Sequence, residues 1–309
     1  MFIDLAGHSK NRKQKFLEEM NEVIPWEFIT SVISQYWEES KLGRKKYPLL
    51  KMLKIHCLQQ WYDLGDPTVE AEIYDSIAFR RFLGINDFGD DIPDETSILR
   101  FRRFLEKYDL QKEIFKGTKD LLASEGHLLK KGTIVDATII RASSSTKNKE
   151  RKRDPEMSST RKNNNFYFGA KQHIGVDSEK GLIHSIETTT AKVHDSKMLK
   201  KCLHGEESII SADKAYGKQE LKKRMRKEGK IYMITEKRPP KKQLSKKQKK
   251  WNNKISRIRG KVEHPFLVIK HLWGHTKCRY KGLLKNHLQW NFLAMLSNFY
   301  MISRGKRFR

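Results

Sequence analysis

The chain has 309 residues and carries 64 Lys and Arg against 37 Asp and Glu, a formal net charge of +27. An excess of this size favours a polyanion as the partner. Fifteen Phe, ten Tyr and six Trp can build a hydrophobic core, which excludes a disordered basic tail.

The sequence gives no sign of a membrane span or of export. It lacks the apolar run of about 18 residues that a transmembrane helix needs. The N-terminal stretch MFIDLAGHSKNRKQ has no apolar segment of the signal-peptide kind. Three cysteines, Cys57, Cys202 and Cys278, are odd in number and far apart, which is typical of a reducing compartment. We therefore expect a cytoplasmic protein with no membrane partner.

The first 127 residues show the periodicity of helices, and we predict an all-helical N-terminal domain over residues 1–127. Four patterns follow one another: PWEFITSVISQYW (25–37), YPLLKMLKIHCLQQWYDLG (47–65), PTVEAEIYDSIAFRRFLG (67–84) and DETSILRFRRFLEKY (94–108). In the last pattern either Asp94 or Thr96 can cap the helix. A cluster of arginines near its start would lie in solvent or contact phosphate: Arg100, Arg102 and Arg103.

From Gly132 the periodicity changes to that of strands. KGTIVDATIIRA is rich in β-branched residues, and a DSEKG turn separates two later strand patterns. The predicted strands lie within 131–142, 166–195, 207–217 and 229–240. A basic linker at 237–261 then leads to two helical patterns, HPFLVIKHLWG and LKNHLQWNFLAMLSNFYMI. Residues 128–309 therefore predict a second domain with a mixed α/β core.

One connection in this second domain is unusual. The basic loop at 142–165, ASSSTKNKERKRDPEMSSTRKNNN, is too long and too polar for an ordinary link between strands. Loops of this kind are usually functional or disordered.

Three carboxylates stand out. Asp136 lies in the middle of a predicted strand, where an ionised side chain is costly unless it is paired. Asp213 follows the strand IISA, at the end where α/β sheets place ligand groups. Glu263 is the only acidic residue from 237 onward, beside 21 Lys and Arg. Taken alone, each has an ordinary explanation: a hydrogen-bonded structural Asp, a turn Asp and a surface ion pair.

Two basic residues accompany Glu263. Arg259 precedes it by four residues and Lys270 follows it by seven, so both return to the same face of a helix. They would pair with Glu263 and brace it, or contact phosphate. Pro265 favours a helix that starts near Glu263 or kinks there, which weakens the alignment of Arg259.

Taken together, the three carboxylates fit phosphodiester chemistry with two metal ions. Two Mg²⁺ ions about 3.5–4 Å apart activate the attacking oxygen and stabilise the leaving one. Hard cations need oxygen ligands, and surrounding Lys and Arg hold the phosphates. We therefore predict Asp136, Asp213 and Glu263 as ligands of two Mg²⁺ ions, with Mn²⁺ as an alternative.

Several long stretches are specific enough to compare with a family: GTIVDATIIRASSSTKNKERKRDPEM, FGAKQHIGVDSEKGLIHS, HGEESIISADKAY, RIRGKVEHPFLVIK and CRYKGLLKN. They resemble the DDE transposases of bacterial insertion elements, specifically the insertion sequence 5 family. PWEF, YPLLKMLKIHCLQQWYDL and IPDETSILRFRRFLE in the N-terminal part are similar to that family too. The resemblance thus covers nearly the whole chain.

The resemblance implies a fold and a site. The fold would be an RNase H-like mixed sheet flanked by helices, with Asp136, Asp213 and Glu263 as the catalytic triad. The family signature Tyr-x2-Arg-x3-Glu-x6-Lys falls on Arg259, Glu263 and Lys270.

Two departures from the family pattern occur. Ser256 stands at the Tyr position of the signature, which puts any role of that Tyr in doubt and leaves the metal site intact. Ala215 stands where the family often has Gly.

The resemblance also implies an activity. The enzyme would nick DNA at the ends of an insertion element and join the 3′-OH to target DNA. Its partners would be double-stranded DNA, as terminal inverted repeats and as target, and a second copy in a homodimer. The N-terminal helices would bind the ends or dimerise, in a bacterial cytoplasm at the nucleoid. Two alternatives stay open: a related nuclease without strand transfer, and a DNA-binding protein from a decayed element.

Other polar residues have simpler explanations. Asp177 lies in the DSEKG turn, and Asp195 suits a helix N-cap, with a weaker role beside the metal site. His271, His275 and Cys278 have zinc-like spacing but lack a fourth ligand.

Overall fold

The computed structural model describes residues 10–37, 46–85, 91–162, 164–236, 238 and 243–305. The chain divides into two compact units: Met1–Phe115 with Asn298–Arg309, and Lys116–Ser297. No helix within the described ranges is long and apolar enough to cross a membrane.

The first unit is helical. Its helices, among the residues described, are α1 (Arg12–Val23), α2 (Trp26–Ser34), α3 (Leu49–Trp61), α4 (Asp66–Asp75), α5 (Ile77–Leu83), α6 (Glu95–Lys107) and the start of α7 (Leu110–Ser124). The predicted helical patterns are confirmed in α2, α3 and α6.

Local capping explains where the helices differ from the prediction. The pattern at 67–84 forms two helices, because Ser76 has an extended backbone and its hydroxyl accepts from the amide of Phe79. Asp94 caps α6 by accepting from the amide of Ser97 at 2.6 Å. Helix α1 was not predicted; it begins after a capping box at Asn11.

The end of the chain belongs to this helical unit. The ring of Tyr300 lies 6.1 Å from that of Phe16, and Arg304 pairs with Glu19 at 3.6 Å. The predicted division placed the boundary after residue 127 and the chain end in the second domain, so the compact units differ from it at both places.

One of the three arginines predicted to lie in solvent or contact phosphate is used inside this unit. The side chain of Arg102 is 14% exposed and binds Asp66 at 2.8 Å and Glu106 at 3.2 Å. Its charge is therefore already paired.

The second unit is built on a six-stranded mixed sheet. Its strands are β1 (Gly132–Arg141), β2 (Ser158–Lys162), β3 (Asn165–Asp177), β4 (Ile183–Thr190), β5 (Ile209–Ala212) and β6 (Ile231–Ile234). The order is β2-β3-β1-β5-β6, with β4 also paired to β3. Pairs among β1 to β4 are antiparallel, whereas β5 lies parallel to β1 and to β6. This is the topology of RNase H-like sheets, and the predicted fold is confirmed.

Turn chemistry fixes the β3–β4 hairpin. The carboxylate of Asp177 accepts from the amides of Glu179 at 2.9 Å and Lys180 at 2.6 Å. The prediction that Asp177 is a turn residue is confirmed.

Helices cover the sheet: α8 (Gln219–Lys227), α9 (Lys246–Phe266), a π-helical segment (Leu267–Leu272) and α10 (Leu283–Gly305). The predicted basic linker at 237–261 is corrected, since it is helical from Lys246 onward. The hydroxyl of Ser245 and the side chain of Gln248 form a capping box there, and Ile255 and Val262 are buried. Pro265 lies near the end of α9, so the helix begins far before Glu263.

A buried carboxylate holds together the end of the sheet where β1 and β5 begin. The side chain of Glu207 has no exposed area. It accepts from the amides of His204 and Gly205, from Thr133 Oγ1 at 3.2 Å and from Lys230 Nζ at 3.4 Å. Burial alone would raise the pKa of Glu207, but these hydrogen bonds and the charges of His204 and Lys230 lower it overall.

We predict that Glu207→Gln lowers the free energy of unfolding at neutral pH by about 2 kcal/mol, because a buried ionic acceptor loses its charge-assisted bonds. A lowered folded pKa contributes stability above the unfolded value of 4.5 that is lost as the pH falls. The variant should therefore lose less stability than the parent on acidification. Urea unfolding at several pH values measures both effects. Glu206→Gln, an exposed neighbour, is the control; an equal loss in both variants would contradict the prediction.

Candidate catalytic site

Asp136 projects from β1, which lies between β3 and β5. Its Oδ1 accepts from the amide of Ala137 at 2.8 Å, and its Oδ2 accepts from Arg259 Nη2 at 3.2 Å. Burial raises the pKa of Asp136; Arg259 and the Ala137 amide oppose this, and the charges of Asp213 and Asp195 add to it. Asp136 is therefore a buried carboxylate whose charged form depends on a cation beside it.

The parallel register places Asp213 beside Asp136. Val135 of β1 is paired with Ala212 of β5, and the two aspartates are the next residues along each chain. Asp213 accepts from the amide of Lys214 at 2.6 Å, which orients the carboxylate at the start of a short 3₁₀ turn. The two sequence-predicted aspartates are thus brought together by strand pairing.

Arg259 of α9 lies between the two carboxylates. Its guanidinium reaches Asp136 Oδ2 at 3.2 Å and Asp213 Oδ1 at 3.8 Å, and its side chain is 16% exposed. Its Nε is buried and makes no hydrogen bond with the described part of the chain. One cation therefore serves two anions, and one negative charge is left over.

Glu263 lies one helical turn after Arg259 on α9. It is exposed, and its side chain has no hydrogen bond or ion pair within the described residues. It lines an open pocket of about 370 Å³ with Thr138, Lys270 and His264 among the other walls. No group of three His, Cys, Asp or Glu side chains close enough to hold a metal ion occurs in the residues described. The structure brings Asp136 and Asp213 together, and Glu263 is not close enough to form a group of three with them.

Lys270 binds the strand that carries Asp136. Its Nζ donates to Thr138 Oγ1 at 2.8 Å and to the Ile139 carbonyl at 3.5 Å. Burial lowers the pKa of Lys270, and the charges of Lys162 and Arg141 lower it further. Within the described residues neither Lys270 nor Arg259 donates to Glu263, so the expected bracing of Glu263 by these two residues is not seen.

Two residues near Asp136 carry functions that spacing alone did not show. Thr138 lies two positions further along β1, on the same face as Asp136, and accepts from Lys270. Asp195 raises the pKa of Asp136 and pairs with Lys171 at 2.9 Å. The prediction of Asp195 as an N-cap is wrong, since His194 Nδ1 accepts from the amide of Ser196 instead.

Of the three residues with zinc-like spacing, His271 is exposed, whereas His275 and Cys278 pack within this unit. His275 is buried, and the Cys278 thiol donates to the carbonyl of Ile140 at 3.7 Å. Burial raises the pKa of Cys278 to about 11, so the thiol is protonated at neutral pH.

An RNase H-like sheet with paired aspartates at adjacent strand positions, in a strongly basic chain, fits an enzyme that acts on nucleic-acid phosphodiesters. A family model described as Transposase DDE domain matches residues 127–299, and one described as Transposase domain (DUF772) matches residues 6–104. The chain belongs to the DDE transposase family. It is a DNA transposase, an enzyme that cleaves and joins DNA strands.

The cryo-EM structure of the piggyBac transposase synaptic complex with hairpin DNA is similar to this chain. The match has a TM-score of 0.48 and 11% sequence identity, and it covers 95% of this chain and 74% of the other. A likeness of this degree carries no weight for the chemistry of the site.

The family uses divalent metal ions, and the donors found here fit one. Asp136 and Asp213 offer carboxylate oxygens, which hard cations prefer. Their two negative charges exceed the one positive charge that Arg259 supplies.

We predict that Arg259→Gln tightens Mn²⁺ binding about 10-fold, because a cation that competes for the same two carboxylates is removed. Asp136→Asn should instead weaken it. The enhancement of water-proton relaxation, or isothermal titration calorimetry, measures the Mn²⁺ affinity without catalysis. Arg257→Gln, an exposed position on the same helix, is the control and should change nothing. Weaker binding in Arg259→Gln than in the parent would contradict the competition.

Proposed function

We propose that this transposase belongs to the insertion sequence 5 family and that Asp136, Asp213 and Glu263 form its catalytic triad. The observation that supports this most is the register-defined pair of Asp136 and Asp213 beneath Arg259. Glu263 lies on the same helix as Arg259, one turn away and exposed. A rotation of its side chain would bring a third oxygen donor toward the pair.

The three carboxylates would hold two Mg²⁺ ions, or Mn²⁺ in their place. When bound, the metal pair supplies activation of the attacking oxygen and stabilisation of the leaving oxygen. The protein contributes the positions of the carboxylates, set by β1, β5 and α9. Lys270 and Arg259 would contact the phosphates of the bound strand.

The reaction that follows from these positions has two stages. Water would attack the phosphorus at an element end: a bond from the water oxygen to phosphorus forms as the bond to the 3′ oxygen breaks, which leaves a 3′-OH and a 5′-phosphate. That hydroxyl would then attack a phosphorus of the target: a new phosphodiester forms as the bond to the target's own 3′ oxygen breaks, and the proton of the attacking hydroxyl leaves with the released target 3′-OH.

The partners would be the terminal inverted repeats and the target duplex, bound by a homodimer that pairs the two ends. The helical N-terminal region would recognise the ends or form the dimer, and the catalytic region would begin near residue 128. A protein with this charge and this substrate would lie at the bacterial nucleoid in the cytoplasm.

We predict that Glu263→Gln lowers strand cleavage more than about 100-fold, since it removes a charged oxygen ligand from a metal site. The assay uses Mg²⁺ or Mn²⁺ and DNA that carries the ends of the element. Glu220→Gln, an exposed glutamate of α8, should cleave like the parent. If Glu263→Gln also cleaved like the parent, the assignment of the triad would be wrong.

The same assay shows how much of the transposase reaction this copy carries out. Cleavage followed by joining to target DNA supports the mechanism in full. Cleavage without joining would make this copy a nuclease that has lost strand transfer, and binding without cleavage would make it a decayed transposase.

A further inference from the structure

The β2–β3 hairpin carries an unusual set of side chains. We name its outer part, formed by β2 and Asn165–Phe168 of β3, the hairpin arm. Three successive aromatic residues of β3 each have a guanidinium over the ring. The distance from the guanidinium Cζ to the ring centroid is 5.6 Å for Arg161 and Phe166, 5.1 Å for Arg141 and Tyr167, and 5.4 Å for Arg153 and Phe168.

Phe166 is not part of a core. Its residue is 77% exposed, the highest fraction among the large hydrophobic residues of the described chain. An exposed phenyl ring gains nothing from the hydrophobic effect in the isolated protein. Its position on the arm therefore suits contact with another molecule.

The arm holds this ring in place. Arg161 and Phe166 are directly opposed across the β2–β3 ladder, so their side chains lie on the same face. Arg161 also donates to Asn164 Oδ1 at 2.8 Å, which restrains the guanidinium. One face of the ring is thus covered by a cation, and most of the rest is open to a planar ligand.

The strand pattern places Phe166 on the face of the sheet that carries Asp136. Ile174 is opposed to Asp136 and Gln172 to Thr138, and Phe166 has the same parity along β3. Lys162, the last residue of β2, is one of the charges that lower the pKa of Lys270, which donates to Thr138.

The basic loop that leads into the arm is hydrogen-bonded to the start of α10. Asp154 accepts from the amide of Gly282 at 2.7 Å, and Glu156 accepts from that of Leu283 at 2.7 Å. These two carboxylates of the basic loop face the start of α10. Neither carboxylate pairs with Arg161 or Lys162 of the arm, whose positive charges stay available to a ligand.

We propose that Phe166 stacks on an unpaired base of the DNA bound at the carboxylate site, with Arg161 and Lys162 holding the adjacent phosphates. Every base offers a π-face, and a guanidinium behind the ring strengthens the stack. The charge of the arm matches a nucleic acid and opposes a second copy of this basic chain. The inference rests on the proposed site and goes beyond it by assigning a base contact.

The test uses a duplex with a single unpaired 2-aminopurine, without divalent metal so that no strand is cut. Stacking changes the fluorescence of this base. In the parent we expect a fluorescence change on binding. Phe166→Ala should abolish the change and weaken binding of this duplex about 10- to 100-fold, with a far smaller effect on a fully paired duplex. Phe166→Trp keeps an aromatic ring at this position, so it should show the fluorescence change and bind the unpaired duplex like the parent.

Ile231→Ala is the matched control, since Ile231 is an exposed apolar residue of the edge strand β6, 58% exposed. It should bind and report like the parent. Thermal unfolding checks that each variant folds.

Three results would overturn the inference. One is an unchanged fluorescence response in Phe166→Ala, and another is equal weakening for paired and unpaired duplexes. The third is a Phe166-dependent change of molecular mass, which would assign the ring to contact between copies. Because no cleavage is required, an inactive triad would not disturb this measurement, so the two proposals fail separately.

Discussion

The site depends on one electrostatic constraint: two carboxylates on adjacent parallel strands must share positive charge. Asp136 is held between neighbouring strands, and Asp213 follows the strand beside it. Burial, with a smaller part from the charge of Asp213, raises the pKa of Asp136 and disfavours its charged form. Arg259 supplies one positive charge to both, and a divalent cation would supply what remains.

The rest of the catalytic unit serves this arrangement. Strand pairing sets the positions of the two aspartates, and α9 packs against β1 through buried apolar residues so that Arg259 reaches both carboxylates. Lys270 then ties the following π-helical segment to Thr138 on the same strand. A π-helical segment directly after Pro265 changes the helical register, so the simple seven-residue alignment of Glu263 with Lys270 does not describe their contacts.

Much of the fold could be predicted because local chemistry decides it. β-branched residues mark β1, the DSEKG turn marks the β3–β4 hairpin, and helical periodicity marks α2, α3 and α6. The prediction of helix boundaries failed where a single capping residue outweighed the pattern of the surrounding sequence. Ser76 divides one helical stretch into two, and Ser245 starts a helix in a Lys-rich stretch that composition describes as a linker.

The sequence predicted which residues form the site better than it predicted which side chains contact each other. Asp136 and Asp213 were found from strand context, and the register confirms that they are neighbours. The partners of Arg259 could not be predicted from sequence spacing. A spacing of four residues favours Glu263 as its partner, whereas the tertiary fold places Asp136 and Asp213 beside it. The part played by Asp195 depends on Lys171 and on the sheet, neither of which the sequence order shows.

The central claim is that Asp136, Asp213 and Glu263 form one metal site in which Arg259 gives way to the cation. A structure of the protein with Mn²⁺, solved with anomalous scattering, tests it most directly. The account predicts anomalous peaks at oxygens of Asp136 and Asp213, with Glu263 turned toward them and Arg259 displaced from the pair. Manganese bound elsewhere, with Arg259 still bridging both aspartates, would contradict it.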